Sequence, residues 1–302
     1  VNLIIDAHCH VWEEKLMSPE LKEIIIETSK SFGLDPKLMM VGTSERLVRE
    51  MDEAGIDKTV IVALDYEFAY KGDVSFKDYN NYVADIVKRY PDRFIGYCGI
   101  DPRRGKAAIR ELERCIHDLE LSGVKLWPLT GFYPDDRSFY PFYERVQDLD
   151  VPILCHTGMG PPKTYLKYNR PAFIDAVAVD FPKIRFQMAH IGDPWVDEAL
   201  TVAVKNSNVC FDICGNWELV SKFMPVYFYQ VLAQAKMTCG VGKILFGSDW
   251  PMFASLVSLK DWVEAIKNLK RPQPLELLGL PEFSEAEKKM ILGGNAAKLH
   301  GL

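Results

Sequence analysis

Short apolar runs alternate with longer amphipathic ones from end to end of the chain. The short runs lie at residues 2–6, 58–64, 94–100, 123–127, 152–156, 184–190, 209–213 and 244–248. They are rich in β-branched and apolar residues and bounded by turn-forming ones, the signature of strands. In the longer stretches apolar positions recur three and four apart, as on one face of a helix. Across residues 43–54, Leu47, Val48, Met51 and Ala54 share a face, and Gly55 stands where a helix cap belongs. Similar patterns predict helices at 79–90, 107–119, 140–149, 171–181, 195–205, 225–236 and 259–269, with a further helix at 284–300 closing the chain.

Eight strand–helix units within 302 residues predict an α/β fold of the (β/α)8 TIM barrel type. A doubly wound open sheet is the alternative. No shift in composition marks a linker, so residues 1–302 are expected to form a single domain. The glycine fingerprints of nucleotide sites are missing. Gly158-Met159-Gly160 lacks a third glycine and runs into Pro161-Pro162, and Gly240-Val241-Gly242-Lys243 lacks P-loop spacing. The connections after the strands are long, at 11–40 (with a helix at 19–30), 65–75, 128–138 and 157–170, whereas the opposite connections are short. A barrel site is therefore expected at the C-terminal ends of the strands.

Bulk composition narrows the function by exclusion. Apolar residues make up 48% and charged residues 26%, as in a soluble globular protein. A net charge of −6 argues against a nucleic-acid surface, and no run reaches transmembrane length. The opening residues read as a strand, not as a signal peptide. Seven scattered cysteines read as buried thiols of a cytoplasmic protein, and Cys210 and Cys214 read as core residues.

The candidate chemistry starts at Asp6-Ala7-His8-Cys9-His10. Strand alternation points His8 and His10 the same way, with Asp6 a layer deeper and Cys9 on the opposite face. With 6 His in 302 residues, only about 0.1 such pairs arise by chance. Further residues at strand ends make the pair informative: His156, His190 and Asp249, with Lys125 near the end of the fourth strand. In a barrel all of them open onto one mouth, which is the pattern of a site and not of isolated core histidines. His117 and His300 fall in predicted helices and read as ordinary surface or packing residues. The alternation that turns His190 inward sends Gln187 toward the layer between sheet and helices.

The His-x-His pair, His156-Thr-Gly, Ala189-His190-Ile-Gly and Phe246-Gly-Ser-Asp249-Trp-Pro resemble the amidohydrolase superfamily, specifically the amidohydrolase-related group that includes aminocarboxymuconate-semialdehyde decarboxylase. Gly123-Val-Lys-Leu126 and the tail around 291–295 extend the resemblance over essentially the whole chain. It implies that His8, His10, His156 and Asp249 hold one divalent metal, zinc in most cases with manganese as the alternative. It also implies that His190 stands beside the metal as a catalytic group and that Asp249 takes a proton from metal-bound water. Homodimers or larger homo-oligomers are expected on the same ground.

The family holds hydrolases, lactonases and non-oxidative decarboxylases. Lys125 tilts the expectation toward hydrolysis of a C–O or C–N bond in a small carboxylated or cyclic substrate. Decarboxylation of an aromatic or unsaturated acid is the alternative. A barrel that only binds a ligand fits poorly with an intact ligand set. Lys125 is expected to meet a substrate carboxylate or to pair with Asp212, in preference to forming a carbamate that bridges two metals. Trp127 and Trp250 adjoin the site and are expected to line a pocket for the substrate, with Arg170 or Lys163 facing an anionic group. Asp6 and Asp212 are expected to support the ligands.

Overall fold

The predicted apolar runs form eight strands: β1 (Ile5–His10), β2 (Lys58–Val62), β3 (Phe94–Gly99), β4 (Gly123–Leu126), β5 (Ile153–Cys155), β6 (Phe186–Met188), β7 (Val209–Asp212) and β8 (Ile244–Leu245). The computed structural model describes residues 3–31 and 33–302. Val1 and Asn2, where the first predicted strand begins, and Phe32 lie outside the described residues. All seven strand pairs are parallel and follow chain order. Parallel neighbours need a crossover, which the amphipathic stretches between them supply as helices.

Backbone hydrogen bonds across the β1–β8 seam close the barrel. Ala7 donates to the Phe246 carbonyl at 2.9 Å, Asp249 to that of His8 at 2.8 Å, and His10 to that of Trp250 at 2.8 Å. Val60 and Val62 of β2, Tyr97 of β3 and Leu154 of β5 form one buried cluster. Because β2 and β5 are not neighbours, these side chains meet through the barrel interior. Most other buried apolar residues form one large cluster that includes residues of the helices packed against the strands.

Long connections follow the strands, as expected. The one after β1 carries two helices, α1 (Pro19–Ser31) and α2 (Pro36–Met40). Local capping chemistry fixes the next helices. In α3 (Ser44–Ala54) the Thr43 side chain accepts from the Arg46 amide, and Gly55 ends the helix at φ 72°. In α4 (Phe76–Arg89) Ser75 and Asp78 form a reciprocal capping box.

Two expectations are corrected. The helix predicted at 284–300 is three pieces: Glu285–Lys289, a π-helical turn at Met290–Gly294, and Asn295–His300. The turn follows from close approach to β1, since a Cβ on Gly293 would stand 1.9 Å from the Leu3 carbonyl oxygen. The last helix sets Ala296 and Leu299 against Ile5, Ala7 and Leu245, and His300 edge-on to Tyr97. The strand predicted at 184–190 is cut short at Met188, because His190 and Ile191 adopt left-handed backbone at φ 60° and 46°.

Trp262, on the helix Leu259–Lys267, is fully buried. It stacks on Phe246 just beyond β8 and donates from Nε1 to the Gly247 carbonyl at 2.8 Å. Trp262→Ala is expected to cost about 3–5 kcal/mol, read as a lower denaturant midpoint in chemical unfolding.

Candidate active site

Alternation along β1 carries Asp6, His8 and His10 to the inside of the barrel and Cys9 into the sheet–helix layer, where it is fully buried. Asp6 fastens β1 to the segment after β8. Its Oδ1 accepts from the amides of His8 (3.1 Å) and Ser248 (3.0 Å), and its Oδ2 from the Ser248 hydroxyl (2.5 Å). Burial raises the Asp6 carboxyl to about 7 despite these donors.

His8 and His10 converge on Asp249. Their Nε2 atoms lie 3.6 and 3.1 Å from the same Asp249 Oδ1. The other ring nitrogen of His8 is 3.2 Å from Asp212 Oδ2. Asp212 is the most heavily used carboxylate of the site. It also accepts from Gln187 Nε2 at 2.7 Å, from the His190 amide at 2.7 Å and from the Cys214 thiol at 2.9 Å. Burial opposes its charge, yet the neighbouring imidazoles of His8 and His190 hold it below the usual carboxylate range. Asp249 is depressed in the same way, against burial, by His10, His190 and His8.

His190 lies just beyond β6 in a left-handed conformation, and Asp249 does the same beyond β8 at φ 49°. Such backbone costs a non-glycine residue about 1–2 kcal/mol and tends to occur at functional positions. It also breaks simple alternation. Gln187 therefore points into the barrel, donating to Asp212 and to the Ala7 carbonyl at 3.1 Å, and not into the outer layer as alternation from His190 suggests. Gly215 makes room for His190, since a Cβ there would stand 2.9 Å from His190 Nδ1. The Trp217 indole braces His190 from behind, donating to its carbonyl at 2.9 Å.

The donor set suits a divalent cation. Burial lowers His8, to about 3, and also lowers His10 and His156, so these imidazoles are neutral and keep a lone pair for a metal. His10 Nδ1 is buried with no hydrogen-bond partner among the described residues. The Asp212–His8 contact is the carboxylate–imidazole pairing that orients a ligating histidine. Donor atoms of His8, His190, Cys214 and Asp249 all lie within 4.8 Å of one another. This group shares His8 and Asp249 with the expected metal set and adds His190 and Cys214 in place of His10 and His156; the Cys214 Sγ lies 3.2 Å from His8 Nδ1 and 3.3 Å from His190 Nδ1. Cys214 is thus part of the site as well as of the interior. The signal was its two-residue spacing from Asp212, which sends both side chains inward. His156 stands at the edge of the cluster. Its ring lies 4.8 Å from that of His190, and its Nε2 is 2.9 Å from the Met159 carbonyl oxygen.

Several expected substrate contacts are relocated. Lys125 is fully inside the barrel, its Nζ 2.9 Å from His8 Nε2, and it is neither on the cavity wall nor hydrogen-bonded to Asp212. Burial lowers its ammonium to about 8. Arg170 pairs with Glu198 and lies over Trp195, and Lys163 pairs with Glu20 at 3.0 Å. Trp250 is buried, with Nε1 bonded to Glu50 at 2.7 Å and Arg46 across its ring, so it serves packing and not the cavity wall. Trp127 does line the cavity, edge-on to His156.

That cavity has a volume of about 420 Å³ and opens onto His10, His156, His190 and Asp249. Its remaining wall is mostly apolar and aromatic, and no Lys or Arg lines it among the described residues.

The chain is similar over its whole length to proteins named as decarboxylases. It is 25% identical to the gamma-resorcylate decarboxylase of Polaromonas sp. strain JS666, over 87% of this chain and 89% of that protein. It is 24% identical to the 2-amino-3-carboxymuconate-6-semialdehyde decarboxylase of Dictyostelium discoideum, over 100% of this chain and 92% of that protein. Among solved structures it matches a dihydroxybenzoic acid decarboxylase from Polaromonas sp. JS666, crystallised with manganese and 2-nitroresorcinol. The TM-score is 0.68 at 23% identity, covering 100% of this chain and 98% of that one. These relatives overturn the expectation of a C–O or C–N hydrolase. That expectation leaned on Lys125, which faces His8 and not the cavity, and so carries no information about the bond that is cleaved. The amidohydrolase family model matches residues 5–302, and the chain belongs to that family.

Proposed function

We propose that this protein is a metal-dependent, non-oxidative decarboxylase of an aromatic or unsaturated carboxylic acid. The observation that carries this reading is the apolar, aromatic-walled cavity that opens onto His10, His156, His190 and Asp249, taken with whole-length similarity to two named decarboxylases. In the reaction the bond between the carboxylate and its carbon breaks, and the carboxylate leaves as CO2. The electron pair stays on that carbon and is taken up by a proton.

His8, His10 and Asp249 hold the metal, with His156 completing the set. Zinc is the favoured ion, because three neutral imidazoles and one carboxylate suit a borderline-soft cation. Manganese is the alternative, as in the Polaromonas structure. A divalent cation here supplies Lewis acidity and a fixed positive charge for the substrate's oxygens. The chain's own groups do the rest. Asp212 orients His8, and Asp6 locks β1 to the turn that bears Asp249. His190 faces the cavity with its Nδ1 3.3 Å from the Cys214 carbonyl oxygen, and it delivers the proton to the carbon that loses CO2. Trp127 and the tyrosines keep water from the reacting face, which strengthens every charge interaction inside.

Residues 1–302 act as one domain in this reading. The protein works on a small molecule as a homodimer in the cytoplasm, where its seven free cysteines stay reduced.

His10→Ala and Asp249→Asn are each expected to reduce CO2 release from hydroxybenzoates to background. Chelation should do the same to the wild type, with recovery on adding back zinc or manganese. Acid release from lactones or amides without any CO2 release would refute the assignment. Asp212→Asn is expected to weaken metal binding about 10–100-fold, measured by calorimetric titration of the metal into folded apoprotein.

A further inference from the structure

The reacting groups account for only one side of the cavity. A void of about 150 Å³ is enough to take a benzene ring. The cavity here, at about 420 Å³, leaves room beyond one ring for a further group of at least similar size. Helix α1 builds the wall of that extra space. Leu21, Ile24, Ile25 and Thr28 all line the cavity, and their spacing of three and four residues puts them on one helix face. From Leu21 to Thr28 this face runs about 10 Å. Met39 of α2 and Met17 extend it.

Away from the reacting groups and from Asp193 and Asn216, which pair with each other at 3.3 Å on the cavity wall, the wall offers little to a polar ligand. Three tyrosines line it, but each hydroxyl is already spent on a backbone carbonyl: Tyr66 on Leu16, Tyr70 on Pro162 at 2.8 Å, and Tyr79 on Val11 at 3.0 Å. Their rings, not their oxygens, are available to the cavity. Thr28 Oγ1 is the exception, a buried hydroxyl on the α1 face with no hydrogen-bond partner among the described residues. A ligand with polar groups along its whole length would leave most of them unpaired here, which is costly.

We propose that the substrate is an acid whose polar groups are confined to the reacting end and whose other end is a hydrophobic group of several carbons, seated against Leu21, Ile24, Ile25 and Thr28. This rests on the decarboxylase reading for the reacting end. It adds that the loop after β1 is the specificity element and that unsubstituted dihydroxybenzoates are poor substrates.

The test uses 2,6-dihydroxybenzoate and its 4-methyl, 4-propyl and 4-hexyl derivatives. CO2 release is measured for each acid, and calorimetric binding for the corresponding resorcinol products. In the wild type, kcat/KM and product affinity should each rise about fourfold per methylene seated. Ile24→Trp, which fills the chamber, should bring the hexyl-to-parent ratio down to one or below. Because the ratio is taken within one protein, partial unfolding of the variant cancels. Turnover of the parent acid with a flat or falling series overturns the proposed chamber and leaves the decarboxylase reading standing. Graded binding of the alkylresorcinols with no CO2 from any acid supports the chamber and overturns the decarboxylase reading. Neither binding nor turnover across the series overturns both.

Discussion

The carboxylate of Asp212 is the point on which the site depends. It sits at the end of β7 and accepts from a side chain on β1, a side chain on β6, the backbone beyond β6 and a thiol two residues downstream. A buried carboxylate survives in this position only because its lone pairs are filled. The imidazoles of His8 and His190 then favour its charge strongly enough to outweigh burial. The consequence is geometric. His8 is held by one nitrogen, Gln187 is drawn inward, and the left-handed turn at His190 is anchored at its amide. A change at Asp212 thus reaches four neighbours at once, though its carboxylate is not among the residues that line the cavity.

Much of this arrangement was legible in the residues themselves. Alternation correctly placed Asp6, His8 and His10 inward and Cys9 outward, because β1 stays extended from Ile5 to His10 even though its register against β2 shifts between Asp6 and Cys9. The eight strands and the barrel followed from apolar runs separated by helical patterns. Reasoning from period two failed where the backbone stops being a strand. His190 and Asp249 lie in left-handed turns, and no alternation rule carries across such a turn. Gln187 was misplaced for that reason. Lys125, Trp250 and Arg170 were placed near the correct end of the barrel. Which groups they meet depends on partners distant in sequence, such as Glu50 for Trp250 and Glu198 for Arg170. The reaction was the least legible feature. One set of metal-binding residue types serves both hydrolysis and decarboxylation, so the ligands do not distinguish them.

The wall of the cavity separates two tasks among the long connections. The strand ends supply the imidazoles and the carboxylate, which rigid backbone can hold to a fraction of an ångström. The connection after β1 supplies the apolar face of α1, carried on a segment that contributes none of the proposed ligands. Barrels commonly divide their work between a fixed catalytic rim and variable loops. Here the loop also leaves Glu20 of α1 paired with Lys163 from the connection after β5, so two connections brace each other across the cavity.

The position of the proposed metal ligands along the chain has one more consequence. His8 and His10 come from the first strand and Asp249 from just beyond the last, so the cluster straddles the only junction in the barrel that joins distant ends of the sequence. The backbone bonds from Ala7, His10 and Asp249 cross the same line. A cation bound there would clasp the barrel at its seam. By mass action it would favour the closed form over any state in which β1 has parted from β8, so its occupancy and the closure of the ring would rise and fall together.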